Sequence, residues 1–344
     1  MKHQKNKVKK SIFKKLFIKF CRFIGFEIID QSNFYVPTQD KLLNRNLNIH
    51  GEKSITIPLG ETKIVRKVES LTVIFRSCTN VNMLTQNKKR LFDKKKSEYT
   101  FRSLNSIINS INYAKKSLDK VKFDIIVIDH NSPKDDINQI KKQLIKSNIK
   151  YSLIFLNIDN FKPNIKKINE ENKNVSENQI SNMSNIHKSL LTAQQQCKDL
   201  IYFVEDDYLH REETFEEIIF SYEKLSTQLN KELFFCPADY PYLYTKLDST
   251  HIFLGSKKHW RIVDETLCTF LTSKKILNKH MNKLVSMCLY EHFPFEKPLH
   301  QIYKEEYCLS PIPSLALHCT NINSAYGLSP AIDWINLWNE NENY

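Results

Sequence analysis

Three consecutive acidic residues follow a short apolar run in the middle of the chain. Residues 200–204 are apolar or aromatic, and Glu205, Asp206 and Asp207 come directly after them. One acidic residue is enough to cap a helix, whereas three adjacent carboxylates repel one another unless a cation lies among them. Ligands that are all oxygen atoms favour a hard ion. The motif therefore predicts a metal site with Mn²⁺ or Mg²⁺ as the cofactor.

The segments before this motif alternate between strand and helix patterns. Short apolar runs predict strands at residues 71–75, 123–128, 151–156 and 200–204. Helical periodicity predicts helices at residues 99–118 and 184–196, with a Lys-rich helix after residue 136. This order is typical of a parallel sheet with helices on its faces, in which ligands bind beyond the carboxyl ends of the strands. Asp129, which follows the second strand, is therefore expected at the same edge as the acidic motif.

Other parts of the chain are less regular. Residues 159–180 are polar and Asn-rich, and we expect a loop or mobile flap there. After residue 211 we predict a helix at 211–229, strands at 233–237 and 266–271, and a helix at 273–290. The predicted fold class is α/β, with a mixed, mainly parallel central sheet and flanking helices.

The N-terminus is strongly basic and amphipathic. Residues 1–22 contain nine Lys or Arg and no acidic residue, which accounts for most of the net charge of +13. Within residues 11–24 the apolar side chains fall on one helical face and the lysines on the other. Two interpretations stay open: residues 1–24 form a helix on an anionic inner membrane leaflet, or the helix docks on the main domain. Lysines interrupt the apolar run, so neither a signal peptide nor a membrane span is predicted.

Composition argues against several classes of protein. The charge outside the N-terminus is nearly balanced, and the Lys, Asn and Ile bias is typical of an AT-rich genome, so no nucleic-acid partner is predicted. The eight Cys are scattered singly, which argues against a zinc knuckle and indicates reduced core residues of a cytoplasmic protein. Only five Gly are present and none follows the first strand, which disfavours methyltransferases and other doubly wound nucleotide-binding enzymes.

Residues 70–210 resemble the nucleotide-sugar half of GT-A glycosyltransferases, family 2-like proteins with a short acidic motif, usually written DxD, after the fourth strand. The Glu-Asp-Asp form here is similar to that of some inverting N-acetylglucosaminyltransferases. The resemblance implies that Asp207 contacts the metal and that Asp206 or Glu205 holds the donor ribose or sugar. It further implies that Asp129 binds the nucleobase or ribose, and that Arg76 and Ser77 belong to the loop over the nucleotide. It also implies that Asn185 lies near the diphosphate.

The C-terminal half resembles this family more loosely. The resemblance implies that Glu296 is the general base and that His318, after a Pro-containing strand, is a further metal ligand. The family has an acidic pair where this chain has Glu296 alone. Three other carboxylates are therefore rivals for the catalytic role: Asp264, Glu265 and Glu291.

Two aromatic-rich loops, residues 237–244 and 258–265, combine aromatic rings with carboxylates, as sugar-binding sites often do. They offer four acceptor-binding candidates: Asp239, Tyr240, Trp260 and Arg261. An ordinary aromatic core is the alternative interpretation of these loops.

Together these patterns predict a metal-dependent glycosyltransferase with a GT-A-like single domain. The donor would be a UDP- or GDP-linked sugar, the acceptor a glycan or lipid-linked acceptor of the cell envelope, and the reaction inverting. We divide the chain into four segments. Residues 1–65 are a basic N-terminal segment with an irregular lead-in, and residues 66–210 are the nucleotide-sugar-binding half. Residues 211–325 are the acceptor-binding half, and residues 326–344 are a C-terminal tail. The alternatives are a metal-dependent phosphoesterase or nuclease, and a non-catalytic, membrane-associated nucleotide-binding protein.

Overall fold

The computed structural model describes residues 12–26, 54–57, 60–80, 90–245, 249–320 and 322–344. The chain forms two compact units, residues 1–63 and 64–344, and each is described by itself. In the first unit, helix α1 spans Ile12–Phe23. Strands β1 (Ser54–Ile57) and β2 (Gly60–Lys63) form an antiparallel pair within the predicted lead-in. Much of that lead-in lies outside the described residues.

The second unit alternates strands and helices, as predicted. Its strands are β3 (Ser70–Ser77), β4 (Lys122–Asp129), β5 (Lys150–Phe155), β6 (Leu200–Glu205), β7 (Tyr208–His210), β8 (Phe234–Phe235), β9 (Ile252–Leu254), β10 (His259–Val263), β11 (Phe270–Ser273), β12 (Cys308–Ile312) and β13 (Ala316–His318). Its helices are α2 (Lys96–Ala114), α3 (Lys134–Lys146), α4 (Glu177–Gln196), α5 (Thr214–Leu229), α6 (Lys274–Leu289), α7 (Lys297–Tyr303) and α8 (Trp334–Glu340).

Nine of these strands form one sheet, in the order β5-β4-β3-β6-β11-β8-β12-β10-β9. The first four strands are parallel to one another. Strand β11 runs antiparallel to β6, β8 pairs parallel with β12, and β10 runs antiparallel to β12 and β9. The predicted α/β architecture with a mixed central sheet and flanking helices is confirmed. A separate two-stranded sheet joins β7 to β13.

Helices cover both faces of the parallel half because the crossovers reverse direction. Helices α2 and α3 connect β3 to β4 and β4 to β5, and they pack against each other. The next strand, β6, lies on the other side of β3 from β4, so the chain reverses its direction across the sheet. A right-handed crossover therefore places α4 on the opposite face, where it packs on α6. Strand β3 is therefore buried along its whole length, and residues 73–75 at its centre are all apolar.

The C-terminal segment, predicted as a tail, contains α8 and packs on the start of α2. Trp338 stacks on Phe92 with ring centroids 4.0 Å apart, and the guanidinium of Arg102 lies 4.4 Å from the Trp338 ring. The Arg102 side chain also donates to the Trp338 carbonyl over 2.7 Å. These contacts fix the first turns of α2 beside the acidic motif.

Among the described residues, no helix combines the length and the apolar character needed to cross a bilayer.

Candidate functional site

The ends of three adjacent parallel strands bring the predicted donor-binding residues other than Asn185 to one edge of the sheet. Arg76 on β3 pairs in register with Glu205 on β6, and Ser77 pairs with Asp129 on β4. Asp129 and the acidic motif therefore flank the end of β3 on either side. Their proximity depends on the strand order, which places β6 next to β3 rather than next to β5.

Asp129 is buried and accepts three hydrogen bonds from protein groups. Its Oδ1 accepts from the hydroxyls of Ser77 and Ser132 over 2.7 and 2.6 Å, and its Oδ2 accepts from the Ser132 amide over 3.1 Å. The Ser132 hydroxyl also accepts from the amide of Thr79. Asp129 thus joins the loops after β3 and β4, and its role in contacting a nucleoside stays a prediction.

Asp206 is likewise held by the protein. Its Oδ2 accepts from the Cys78 amide over 3.1 Å and from the Thr100 hydroxyl over 2.8 Å, and its Oδ1 accepts from the ammonium group of Lys96. These contacts join the end of β3 and the first turn of α2 to the acidic motif. Asp206 has little lone-pair capacity left for a ligand.

Asp207 differs from its neighbour because one of its oxygens has no hydrogen-bond partner. Among the described residues, nothing donates to Asp207 Oδ1, although that atom is shielded from solvent. His318 Nε2 lies 3.7 Å from it, which is too long for a hydrogen bond. On the other side, Lys96 Nζ lies 3.9 Å from Asp207 Oδ2.

The His318 ring is fixed by its neighbours. Pairing of β13 with β7 places His318 opposite Tyr208, and the two rings stack with centroids 4.6 Å apart. His318 Nδ1 lies 2.8 Å from the Tyr326 carbonyl, which can only accept, so Nδ1 must donate. In the neutral ring Nε2 then carries the lone pair and faces Asp207. A histidine whose other nitrogen donates to a carbonyl is the usual arrangement of a metal-binding imidazole.

Electrostatics couple these two side chains. Burial by itself raises the pKa of Asp207, but the charges of Lys96 and His318 outweigh it and hold the pKa well below its ordinary value. Burial by itself lowers the pKa of His318, but the Asp207 carboxylate outweighs it and the pKa of His318 is raised. Glu205 also contributes to the upward shift at His318.

The Asp207–His318 pair fits one divalent ion. Ligand atoms about 2.1 Å from a common ion can lie at most about 4.2 Å apart. The observed 3.7 Å between Oδ1 and Nε2 falls within this limit, and the unpaired oxygen would gain a partner. Within the part of the chain that the structure describes, no group of three or more His, Cys, Asp or Glu residues is arranged to hold a metal. At most two of the described His, Cys, Asp and Glu residues can therefore bind an ion at this site.

Glu205 forms an ion pair with the buried Arg76, and both charges act on Glu296. Arg76 Nη2 is 3.1 Å from Glu205 Oε1, and Arg76 Nη1 donates to Asn182 over 3.1 Å. Burial raises the pKa of Glu296 to about 7; the nearby Glu205 charge adds to the shift and Arg76 opposes it. The Cys268 thiol lies 3.8 Å from Glu296 Oε1. Glu296 stands at the N-cap of α7, and its side chain makes no capping hydrogen bond.

The rival carboxylates have different surroundings. Asp264 is exposed, and Glu265 Oε2 accepts from the Tyr326 hydroxyl over 3.3 Å. Glu291 accepts from Asn169 over 2.8 Å and thereby anchors the polar segment that precedes α4. Since Tyr326 also receives the His318 hydrogen bond, Glu265 is connected to the site through one residue.

Asn185 and the acceptor-binding candidates occupy buried positions. Asn185 on α4 donates to the Ile128 carbonyl over 3.2 Å. Asp239 forms an ion pair with Arg261, and its other oxygen accepts from the Tyr244 hydroxyl. Tyr240 bonds to the Tyr208 hydroxyl over 2.7 Å, beside the His318 stack.

Trp260 is fully enclosed, and its indole N–H donates to Glu217 over 3.2 Å. Its ring face is therefore covered by protein. The roles of Asn185 and of the four candidates in ligand binding stay predictions.

Several residues of the site were missed at the sequence level. Lys96 belongs to a run of three lysines that looks like a solvated surface, and only the docking of α2 selects one of them. Thr100, Thr269 and Tyr326 have no local signal, although each contacts a candidate residue.

No protein-family profile and no curated protein matches the chain. Among solved structures it is similar to a UDP-glucose pyrophosphorylase complexed with UDP-glucose, at 8% identity over 79% of this chain and 97% of that chain, with a TM-score of 0.38. It is similar to the galactosyltransferase LgtC with donor and acceptor sugar analogues, at 10% identity over 79% and 95% of the chains, with a TM-score of 0.37.

Mouse xyloside xylosyltransferase 1 in its apo form is similar at 11% identity over 70% and 76% of the chains, with a TM-score of 0.35. At these values the similarities assign neither a family nor an activity.

Proposed function

We propose that the protein is a metal-dependent glycosyltransferase that moves a sugar from a nucleotide-sugar donor to a glycan or lipid-linked acceptor. The observation that supports it most is the unpaired Oδ1 of Asp207, 3.7 Å from the lone-pair nitrogen of His318. A further carboxylate, Glu296, has a pKa raised to about 7, and the Glu205 charge contributes to the upward pKa shifts of both Glu296 and His318. This transfer requires a cation site and a general base whose pKa lies near neutral pH.

Asp207 and His318 would hold the ion. The mixed oxygen and nitrogen pair suits Mn²⁺ better than Mg²⁺, which prefers oxygen ligands. When bound, the ion would neutralise the charge that develops on the leaving nucleoside diphosphate. A UDP- or GDP-linked donor is proposed, with Asp129 and Ser77 at the nucleoside and Glu205 near the sugar.

Glu296 would accept the proton of the attacking acceptor hydroxyl. A base whose pKa lies near the working pH is half ionised there and still strong enough to take the proton. Such a base contributes about 10²- to 10⁴-fold in rate. Of the two charges that act on it, Glu205 raises the pKa of Glu296 and Arg76 lowers it. Direct attack with one base implies inversion at the anomeric carbon.

Titration calorimetry with UDP, with and without Mn²⁺, tests the proposal. We expect binding only when the metal is present, followed by hydrolysis of one nucleotide-sugar in a donor panel. Absence of metal-dependent nucleotide binding would overturn it. Cleavage of a phosphodiester substrate, with no donor hydrolysis, would instead support the phosphoesterase alternative.

We also propose that residues 1–24 contact an anionic membrane surface from its cytoplasmic side. The apolar side chains of α1 are exposed: Phe13 by 84%, Phe17 by 60% and Phe20 by 60%. Basic residues near such a surface contribute about 1 kcal/mol each, and nine of them lie in residues 1–22. An apolar face with basic flanks suits the interface of an anionic bilayer, where both parts find partners. All eight cysteines are free thiols, as a reducing compartment allows.

A further inference from the structure

Lys96 occupies an unusual position for a lysine. It is the first residue of α2, yet only 12% of its side chain is exposed, and its ammonium group lies between Asp206 and Asp207. A lysine ammonium group is cationic at neutral pH, so the chain itself supplies a positive charge to the site.

The two aspartates make different contacts with this ammonium group. Asp206 accepts a hydrogen bond from Lys96 and, through its other oxygen, from Cys78 and Thr100, so it anchors the ammonium group. Asp207 Oδ2 is 3.9 Å away, which is beyond hydrogen-bond distance. Lys96 thus faces Asp207 without neutralising it by direct contact.

An ammonium group has three N–H donors. Within the described parts of the chain, Lys96 Nζ donates only to Asp206. The remaining donors are available to an anionic group that arrives beside Asp207. Compact ammonium groups bind phosphate as point charges, without the fixed geometry that an arginine imposes.

We propose that Lys96 is a second cationic contact for the donor diphosphate, on the side of Asp207 opposite His318. The inference rests on the proposed donor site and adds a residue to it. A fixed positive charge there attracts the diphosphate and repels a divalent ion bound between Asp207 and His318. Lys96 therefore strengthens nucleotide binding while weakening the binding of the metal alone.

Replacing Lys96 should change these two affinities in opposite directions. For Lys96→Met we expect Mn²⁺ alone to bind at least about threefold more tightly, and UDP in saturating Mn²⁺ to bind about tenfold more weakly. Mn²⁺ binding is measured by electron paramagnetic resonance, and UDP binding by calorimetry. Lys96→Arg should retain most of the UDP affinity because it keeps the charge.

Lys95→Met is the matched control. It makes the same chemical change one residue earlier, at an exposed position, and should leave both affinities unchanged. Weakening of both affinities in Lys96→Met, with a lower melting temperature, would show a structural role and overturn the inference, as would no change in either. Failure of the unmodified protein to bind UDP with Mn²⁺ would refute the proposed function itself, before any variant is compared.

Discussion

Asp207 Oδ1 and His318 Nε2 face each other across 3.7 Å, although Asp207 lies just before β7 and His318 is the last residue of β13, the partner strand of β7 in a small separate sheet. The register of β7 against β13 sets this distance, because it pairs His318 with Tyr208, the neighbour of Asp207. The Cys319 amide donates to the Asp207 carbonyl over 2.8 Å and continues the pairing past the strand ends. Two residues far apart in sequence thereby become a candidate chelating pair.

Asp207→Asn should abolish metal-dependent UDP binding. The amide carries no charge to hold a divalent ion, and it no longer offsets the repulsion between that ion and Lys96. Calorimetry with UDP and Mn²⁺ measures the loss. Asp119→Asn, at an exposed position after α2, should bind as the unmodified protein does. Unchanged affinity in the Asp207 variant would remove this residue from the ligand set.

Glu296→Gln should retain donor binding and lower turnover at least about 100-fold, or about 2.7 kcal/mol of transition-state stabilisation. The base works in its ionised form and its pKa is raised to about 7. Turnover of the unmodified enzyme should therefore fall as the pH decreases below 7 and reach a plateau above it. Initial rates across this range, with the best donor of the panel, test both statements.

Glu265→Gln and Asp264→Asn serve as the comparison, since their carboxylates are two of the three rivals for the same role. If one of these variants loses turnover and its pH dependence while Glu296→Gln keeps them, the base is reassigned.

His318 should make stability depend on pH in the metal-free protein. Its pKa is raised in the folded state by Asp207, although burial opposes the shift, so folding favours the imidazolium form. The resulting contribution to the free energy of unfolding is complete below the pKa of the unfolded state, about 6.5. It is lost as the pH rises through the pKa of the folded state. Urea unfolding in EDTA measures the free energy of unfolding of the unmodified protein and of His318→Gln. The difference between the two values should shrink as the pH rises from 6. A difference independent of pH would contradict this electrostatic account.

Mn²⁺ affinity should rise over the same pH range. The metal binds the neutral imidazole, so His318 must first lose its proton. Titrations of Mn²⁺ at several pH values measure this effect, which should be absent in His318→Gln.

Replacing Phe17 and Phe20 together by Glu should release the protein from anionic vesicles. The change removes apolar area from the exposed face of α1 and adds negative charge beside the basic residues. Co-sedimentation with phosphatidylcholine vesicles, with and without phosphatidylglycerol, measures binding, which should also weaken with salt. Ile252→Glu alters an exposed apolar residue of the second unit and should have no effect. Salt-independent self-association through α1 would indicate a second copy of the chain as the partner.

Glu217→Ala should destabilise the second unit by about 2–5 kcal/mol. This buried carboxylate accepts from the amides of residues 256–258 and from the Trp260 indole. Its removal leaves several enclosed donors unpaired. Chemical denaturation measures the loss, and Glu212→Ala, at an exposed position of the same segment, is the control.

Local patterns were sufficient to predict the parallel half of the sheet. The strands at 71–75, 123–128 and 200–204 were found close to their observed bounds, because strands buried on both faces are continuous apolar runs. The edge strand β9 and its neighbour β10 were not predicted as strands. Strand β9 is only three residues long, and the burial of the residues of β10 follows no simple period.

The sequence by itself determined that carboxylates follow a buried strand, and that alternating elements bring Asp129 and Glu205 to one edge. It also marked the basic, amphipathic start of the chain. Only the tertiary structure decided that Asp206 is engaged by protein donors while Asp207 keeps an unpaired oxygen, and that Lys96 is the one lysine of its run that turns inward. The physical reason is that the strand period and apolar content are local properties. Partners and burial depend instead on how α2, β7 and β13 pack together, which no short stretch of sequence encodes.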